Sequence, residues 1–257
     1  MRITQLAAQL YTIHKHCQNA ADLARSIGKL RAIGYTAVQV SAVGPIPEAE
    51  IVAIMAGEGM AICATHEPPA KILLEPERCI ARLRLLGCKL TAYPYPSNVD
   101  LASAGAVNEM IAQLDAAGAK FHAAGMTLGY HNHAIEFVRH QGKLLLDRIF
   151  AQTDPRHLAS ELDTYWIHYG GGDVLEWCRK LRGRLPFIHL KDYGYSRENK
   201  PVDCEIGEGT LDFARILAEA EAGGCEWFIV EQDNPRSDPF ESLRMSFDYI
   251  KRKFVTF

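Results

Sequence analysis

In the second half of the chain, groups able to hold a cation or move a proton recur at the ends of short apolar runs. His131 follows Leu128-Gly129-Tyr130, Asp163 follows Glu161-Leu162, His189 lies in Ile188-His189-Leu190-Lys191-Asp192, and Glu231 in Ile229-Val230-Glu231-Gln232-Asp233. If each run is a β-strand, alternation decides which residues share a face. Ile188 and Leu190 belong on a helix-facing side, which sends His189 and Lys191 the other way. Phe228 and Val230 do the same for Glu231, Tyr130 for His131 and Leu162 for Asp163. Neighbouring strands lie about 4.8 Å apart, so four of them can bring side chains to one ion at about 2.0 to 2.3 Å each. Two imidazoles and two carboxylates suit Mn, Co, Zn or Fe(II) and cancel a divalent charge. Taken singly, each residue is more simply read as a capped or hydrogen-bonded structural group; the joint pattern points to a shared ion.

Other groups belong at the same ends. His66 closes Cys63-Ala64-Thr65-His66, Gln9 lies near the end of the first run, and Tyr93 and Tyr95 close the fourth. His66 is either a substrate contact or a loop histidine capping a backbone carbonyl. Lys191 either holds a substrate oxygen or forms a salt bridge with Glu161 or Asp192. Residues 205–210, Glu-Ile-Gly-Glu-Gly-Thr, stand before a helix, where free amides could take an anionic group; an N-cap dressed with acids is the alternative. Trp166, Trp177 and Trp227 read as core or pocket wall.

To position such groups the chain needs a frame that points successive strand ends at one place. Strands are expected over 3–10, 36–43, 60–65, 89–95, 126–131, 158–163, 186–191 and 227–231. Helices are expected over 20–33, 47–57, 76–86, 108–124, 173–181, 211–222 and 240–253, with a shorter one over 143–152. Several helices run into glycine, as in Ile33-Gly34-Tyr35 and Leu86-Gly87-Cys88, where a left-handed residue can end the helix. Eight strand-helix units in 257 residues predict an α/β chain folded as a single (β/α)8 TIM barrel domain over 1–257. A doubly wound open sheet is the runner-up, but no glycine-rich phosphate turn follows the first strand.

Composition bounds the partners. Lys+Arg 28 against Asp+Glu 31 gives a formal charge of -3 with no basic block, which argues against nucleic acid. No window approaches the roughly 18 apolar residues of a membrane span, and the N-terminus lacks a leader pattern, so a cytoplasmic location is expected. The seven cysteines form no CxxC pair and are expected to be buried small apolar residues.

The stretches Tyr130-His131-Asn132-His133-Ala134-Ile135-Glu136-Phe137, Glu161-Leu162-Asp163-Thr164-Tyr165-Trp166, His189-Leu190-Lys191-Asp192, Gly207-Glu208-Gly209-Thr210-Leu211-Asp212-Phe213 and Val230-Glu231-Gln232-Asp233 together resemble the xylose-isomerase-like TIM-barrel superfamily of sugar isomerases, epimerases and inosose dehydratases. The resemblance implies one divalent metal ion (Mn, Co, Zn, Fe or Mg) held at the ends of strands five to eight. Asp163, His189 and Glu231 match residue by residue. His131 stands where the sugar epimerases carry a glutamate, which leaves open whether it or a neighbour is the strand-five ligand. Those epimerases exchange a proton between two carboxylates on opposite faces of the substrate, so the substitution bears on the reaction. The Tyr-His-x-His arrangement with Leu-Asp-Thr and His-Leu-Lys-Asp is similar to inosose dehydratases.

The expected function is therefore a metal-dependent sugar or sugar-phosphate isomerase or epimerase working on a hydroxy-ketone or aldose through a metal-stabilised enediolate. Glu231 is the preferred base, with His133 or Glu136 next. The runner-up is an inosose dehydratase-like or keto-sugar lyase, in which His66 or Lys191 assists the leaving hydroxyl. A non-catalytic sugar-binding barrel and a nuclease related to endonuclease IV are the readings of other classes; the charge argues against the nuclease. The partner expected is a small-molecule sugar or polyol, with no nucleic acid, no membrane and room for a homo-oligomer.

Overall fold

The computed structural model describes residues 1–255. Its centre is a closed barrel of eight parallel strands, β1 (Leu6–Gln9), β2 (Ala37–Val40), β3 (Ala61–His66), β4 (Leu90–Tyr93), β5 (Thr127–His131), β6 (Leu158–Asp163), β7 (Phe187–Leu190) and β8 (Trp227–Val230). They follow one another around the barrel in chain order, and β8 closes on β1 with Leu6 opposite Phe228 and Ala8 opposite Val230. The (β/α)8 expectation is met; β6 keeps the bounds expected of it, β3 is shifted by one residue, and the other strands are shorter than the apolar runs that announced them.

Among the described residues ten α-helices surround the barrel: α1 (Ala20–Ile33), α2 (Glu48–Gly57), α3 (Pro69–Leu74), α4 (Pro76–Leu86), α5 (Ala104–Ala123), α6 (Leu145–Ala151), α7 (Thr164–Tyr169), α8 (Val174–Lys180), α9 (Phe213–Ala222) and α10 (Pro239–Phe254). α1 and α4 have the bounds expected of them. The side chain of Asn19 caps α1 by accepting from the Asp22 amide, and Gly34 ends it at φ +126°. α5 begins at Ala104, not at 108, because Ser103 caps the Ala106 amide ahead of a turn holding no large apolar residue. Segments absent from the sequence expectation are α3, α7, a 3-10 stretch Leu10–His16, and two hairpins, Arg139–His140 with Lys143–Leu144 and Asp192–Tyr195 with Pro201–Cys204. Each is too short, or too rich in polar residues, to carry an apolar period.

Alternation divides the strand side chains as expected. Leu6, Ala8, Val38, Val40, Leu128, Tyr130, Leu162, Ile188, Leu190, Phe228 and Val230 pack outward in the main core against the helices. Inside lies a second, smaller cluster that includes Ala7, Ala37, Ala64, Ala92, Phe187 and Ile229. Its small residues leave width for one large ring, that of Phe187. A Cβ on Gly129 would lie 2.6 Å from Phe187 Cζ, so glycine is what the close approach permits. In β3 the register slips between Val38 and Gln39 of its neighbour, placing both Cys63 and Ala64 against the interior. All seven cysteines are buried and unbridged.

Candidate metal centre and active site

The apolar floor of Phe187 and Ile229 gives way toward the C-terminal ends to polar side chains. In register, His131 stands opposite Glu161, and Asp163 opposite His189. One ligand atom each from His131, Asp163, His189 and Glu231 lie within 4.8 Å of one another, and all four residues are buried. A second group, His66, His131, Glu161 and His189, meets the same condition and shares two members with the first. The structure thus brings together the four residues singled out as ligands, adds Glu161, and sets His66 beside them.

Local structure explains how each is held. Asp163 sits at the junction of β6 and α7: its Oδ1 accepts the Trp166 amide as an N-cap at 2.9 Å, and its own amide donates to Asn132 Oδ1 at 3.0 Å. Its Oδ2 has no hydrogen bond, though Lys191 Nζ lies 3.1 Å away. Thr164 ties β6 to β7, donating to the Lys191 carbonyl and accepting the Lys191 amide. His131 Nδ1 is buried with no hydrogen-bond partner. An unpartnered ring nitrogen and an unpartnered carboxylate oxygen, converging with two further hard and borderline donors, fit a divalent cation.

Electrostatics sorts the group. Burial would lower the Lys191 ammonium, but Asp163, Glu231 and Asp233, at 3.1, 2.7 and 2.9 Å, hold it well above the usual lysine range. Its partners are these three and neither Glu161 nor Asp192, the two proposed from sequence. Burial likewise opposes the charge on His189, yet Glu161 and Glu231 raise its pKa to about 10. Glu231 is kept well below the carboxylate range, against burial, by Lys191 and His189. Burial raises Asp163 to about 6, Lys191 pulling against it and Glu231 with it. Burial and the neighbouring His189 and His133 keep His131 neutral, its pKa well below the histidine range. In His133 burial and Lys191 bring the value down to about 3.

A cavity of about 580 Å³ opens over this group. His66, His131, His133, Glu231 and Asp233 line it with Tyr11, Tyr95, Pro68 and Pro94, and among the described residues its wall carries no lysine or arginine. Lys191 is behind the wall, enclosed by its three carboxylates. Tyr95 meets the His133 ring edge-on at 5.1 Å, and Trp166 packs on the other side of that imidazole with its Nε1 unpartnered. Trp177 is core, and Trp227 packs against the interior cluster.

Two sequence readings do not hold. Glu136 is fully buried away from the cavity wall, accepting from Tyr130 Oη at 2.8 Å and the His133 amide at 2.7 Å. It braces the turn after β5 and is not positioned as a base. The amides of residues 205–210 are not open to an external anion: Gly207 and Gly209 donate to Asp192 Oδ2, and Leu211 to Oδ1. The acid serving those amides belongs to the chain, and α9 is capped instead by Asp212. Sequence reasoning missed Glu161 and Gln39. Parity could have found both, since Glu161 is two residues before Asp163 and Gln39 two after the inward Ala37.

Comparison with known proteins follows the same lines. Residues 27–253 match the family model described as xylose isomerase-like TIM barrel. An inosose dehydratase of Geobacillus thermodenitrificans is 28% identical over 144 residues, covering 49% of this chain and 48% of the relative. The chain thus spans about half the length of the curated relatives it matches. A solved sugar phosphate isomerase/epimerase of Parabacteroides distasonis superposes with TM-score 0.83 at 19% identity, over 99% of this chain and 96% of that one. A xylose isomerase-like TIM barrel protein of Mycobacterium smegmatis, solved in complex with magnesium, gives 0.74 at 13% identity, over 98% and 97%. The two structural likenesses support the barrel, and no helix among the described residues is long and apolar enough to cross a membrane. With the family model covering residues 27–253, the chain belongs to the xylose isomerase-like TIM barrel family.

Proposed function

We propose that this chain is a divalent-metal-dependent isomerase or epimerase that removes a proton from the carbon next to the carbonyl of a hydroxy-keto sugar or polyol. The observation that carries the reading is the convergence of His131, Asp163, His189 and Glu231 from four successive strands at the base of a cavity. A cation held by these four would supply Lewis acidity at a carbonyl and its adjacent hydroxyl. Glu231, ionised beside Lys191 and His189, is the group to receive the proton. His66 comes from β3 and Glu231 follows β8, three strands apart around the barrel, and both line the cavity, so a substrate bound there meets a carboxylate and an imidazole. His133 and the tyrosine walls orient the ring, and a wall without lysine or arginine among the described residues suits a neutral substrate better than a phosphate ester.

Dehydration is the second reading, favoured by one specific observation. β5 ends in His131, so the site has an imidazole where the resemblance to sugar epimerases would put a second carboxylate for symmetrical proton exchange. The inosose dehydratase relatives agree with it. In that case His66 protonates the departing hydroxyl after Glu231 has taken the proton.

Metal analysis of the purified protein, with ketoses and inososes turned over in deuterated water, tests both. Stoichiometric metal and solvent deuterium at carbon without loss of mass support isomerisation; a product lighter by water supports the dehydratase. Protein without metal, indifferent to Asp163→Ala and Glu231→Ala, would rule out the central reading.

A further inference from the structure

Beneath the four candidate ligands lies a carboxylate that the proposed reaction does not use. Glu161 is fully buried. Its Oε2 is 2.5 Å from His66 Nε2 and 3.4 Å from His131 Nδ1; its Oε1 accepts from Gln39 Nε2 at 2.6 Å and lies 3.3 Å from His189 Nε2. Three imidazoles and one amide thus meet a single acid. An ionised carboxylate only accepts, so the Gln39 amide must turn its NH2 to Glu161 and its Oε1 away. That Oε1 accepts from Gln9 Nε2 at 2.9 Å and stands 2.6 Å from His189 Nε2. Two acceptors, Gln39 Oε1 and Glu161 Oε1, therefore face His189 Nε2, which keeps its proton, while the proton on Nδ1 is the one an ion would displace. Its other nitrogen, Nδ1, faces Glu231 Oε2 at 2.9 Å and Asp163 Oδ2 at 3.9 Å.

We propose that Glu161 is a positioning residue for the metal centre: with Gln39 it pins the proton of His189 on Nε2, so that the Nδ1 lone pair is offered to the ion, and it holds the His66 ring from below. The inference rests on the metal-dependent reading above. It requires the ion to occupy the upper group, with Asp163 and Glu231, and not the lower group in which Glu161 itself would ligate. A carboxylate behind a ligating histidine fixes ring orientation and basicity, and its loss typically weakens metal binding 10–100-fold.

The test uses the full chain, stripped with a chelator and titrated with Zn2+ and with Mn2+ against a fluorescent competitor. Glu161→Gln should bind Zn2+ about 10–100-fold more weakly than the parent, while Asp163→Asn should lose more than Glu161→Gln. Long-range 1H–15N spectra of the Zn2+-loaded parent should show His189 protonated on Nε2 and bound through Nδ1. Should Glu161→Gln fail to fold by circular dichroism, Gln39→Met probes the same network and should weaken binding several-fold. Equal affinity in parent and a folded Glu161→Gln, or His189 bound through Nε2, overturns the positioning role alone. Binding lost in Glu161→Gln but kept in Asp163→Asn places the ion in the lower group and also overturns it. A parent chain that takes up no ion overturns the metal-dependent reading together with this one.

Discussion

The two halves of the barrel meet at one mouth but contribute opposite kinds of chemistry. From β5 to β8 the inward strand ends carry His131, Glu161, Asp163, His189, Lys191 and Glu231; from β1 to β4 the corresponding face carries the amides of Gln9 and Gln39, with His66 the titratable group that reaches the centre. The carboxylates that reach the centre all come from one side, where each ionised one has a cationic or imidazole partner. The other side supplies amides, which orient protons without adding charge. The lesson is that a polar barrel mouth needs both: donors that can exchange protons, and neighbours that cannot and so hold them in register.

Substitutions separate the two contributions. The largest effect is expected from Glu231→Gln, which keeps the shape and removes the base: exchange of substrate protons with solvent, followed by mass spectrometry in deuterated water, should fall by about 10²–10⁴-fold. Asp192→Ala acts on the same charged side but away from the centre. It strips a carboxylate from the Gly207, Gly209 and Leu211 amides. Gly207 is exposed and the other two amides are half-buried, so water can replace part of what is lost, and the cost in chemical denaturation should be about 1–2 kcal/mol.

A third variant sharpens the contrast between carboxylates with and without a cation. Glu161 is held low by His189 and His66 against its burial, whereas burial raises Glu136, which has only Tyr130 and its own turn, to about 7. The folded value lies above the ordinary 4.5, so folding disfavours the ionised form. The penalty is absent below pH 4.5, grows as the pH rises toward 7, and is complete above it. Glu136→Gln should remove that slope, worth about 3 kcal/mol between the limits. A stability difference between parent and variant that stays flat from pH 4 to 8 would contradict it. The smallest effect belongs to the uncharged side. Gln9→Leu deletes one of two donors to Gln39 Oε1, and Zn2+ affinity by competition should change by less than about tenfold.

Much of this was legible in the sequence because strand parity is a rule of strict period. Ile188 and Leu190 outward require His189 inward, and the barrel obeyed it at every strand end that was used. What escaped was whatever depends on depth. Reading only the last residue of each strand finds Asp163 and passes over Glu161, one layer down. Nor does spacing tell that Gly207 and Gly209 fold back on Asp192, since the return hairpin Asp192–Tyr195 with Pro201–Cys204 turns through a polar run with Asn199 at positive φ. Lys191 illustrates the same limit: parity set it inward, but that Asp233 joins Asp163 and Glu231 around it follows from the course of the loop after β8.

Asp163 divides its two oxygens between tasks, one closing the first turn of α7 on the Trp166 amide and the other turned to the centre. Whatever draws on the second oxygen is therefore mechanically connected to the first. The helix that begins there carries the Trp166 indole, packed on His133 beside the cavity, so a change at the carboxylate has one turn of helix to cross before it reaches the cavity wall, and Trp166 emission is the signal in which it is expected to register.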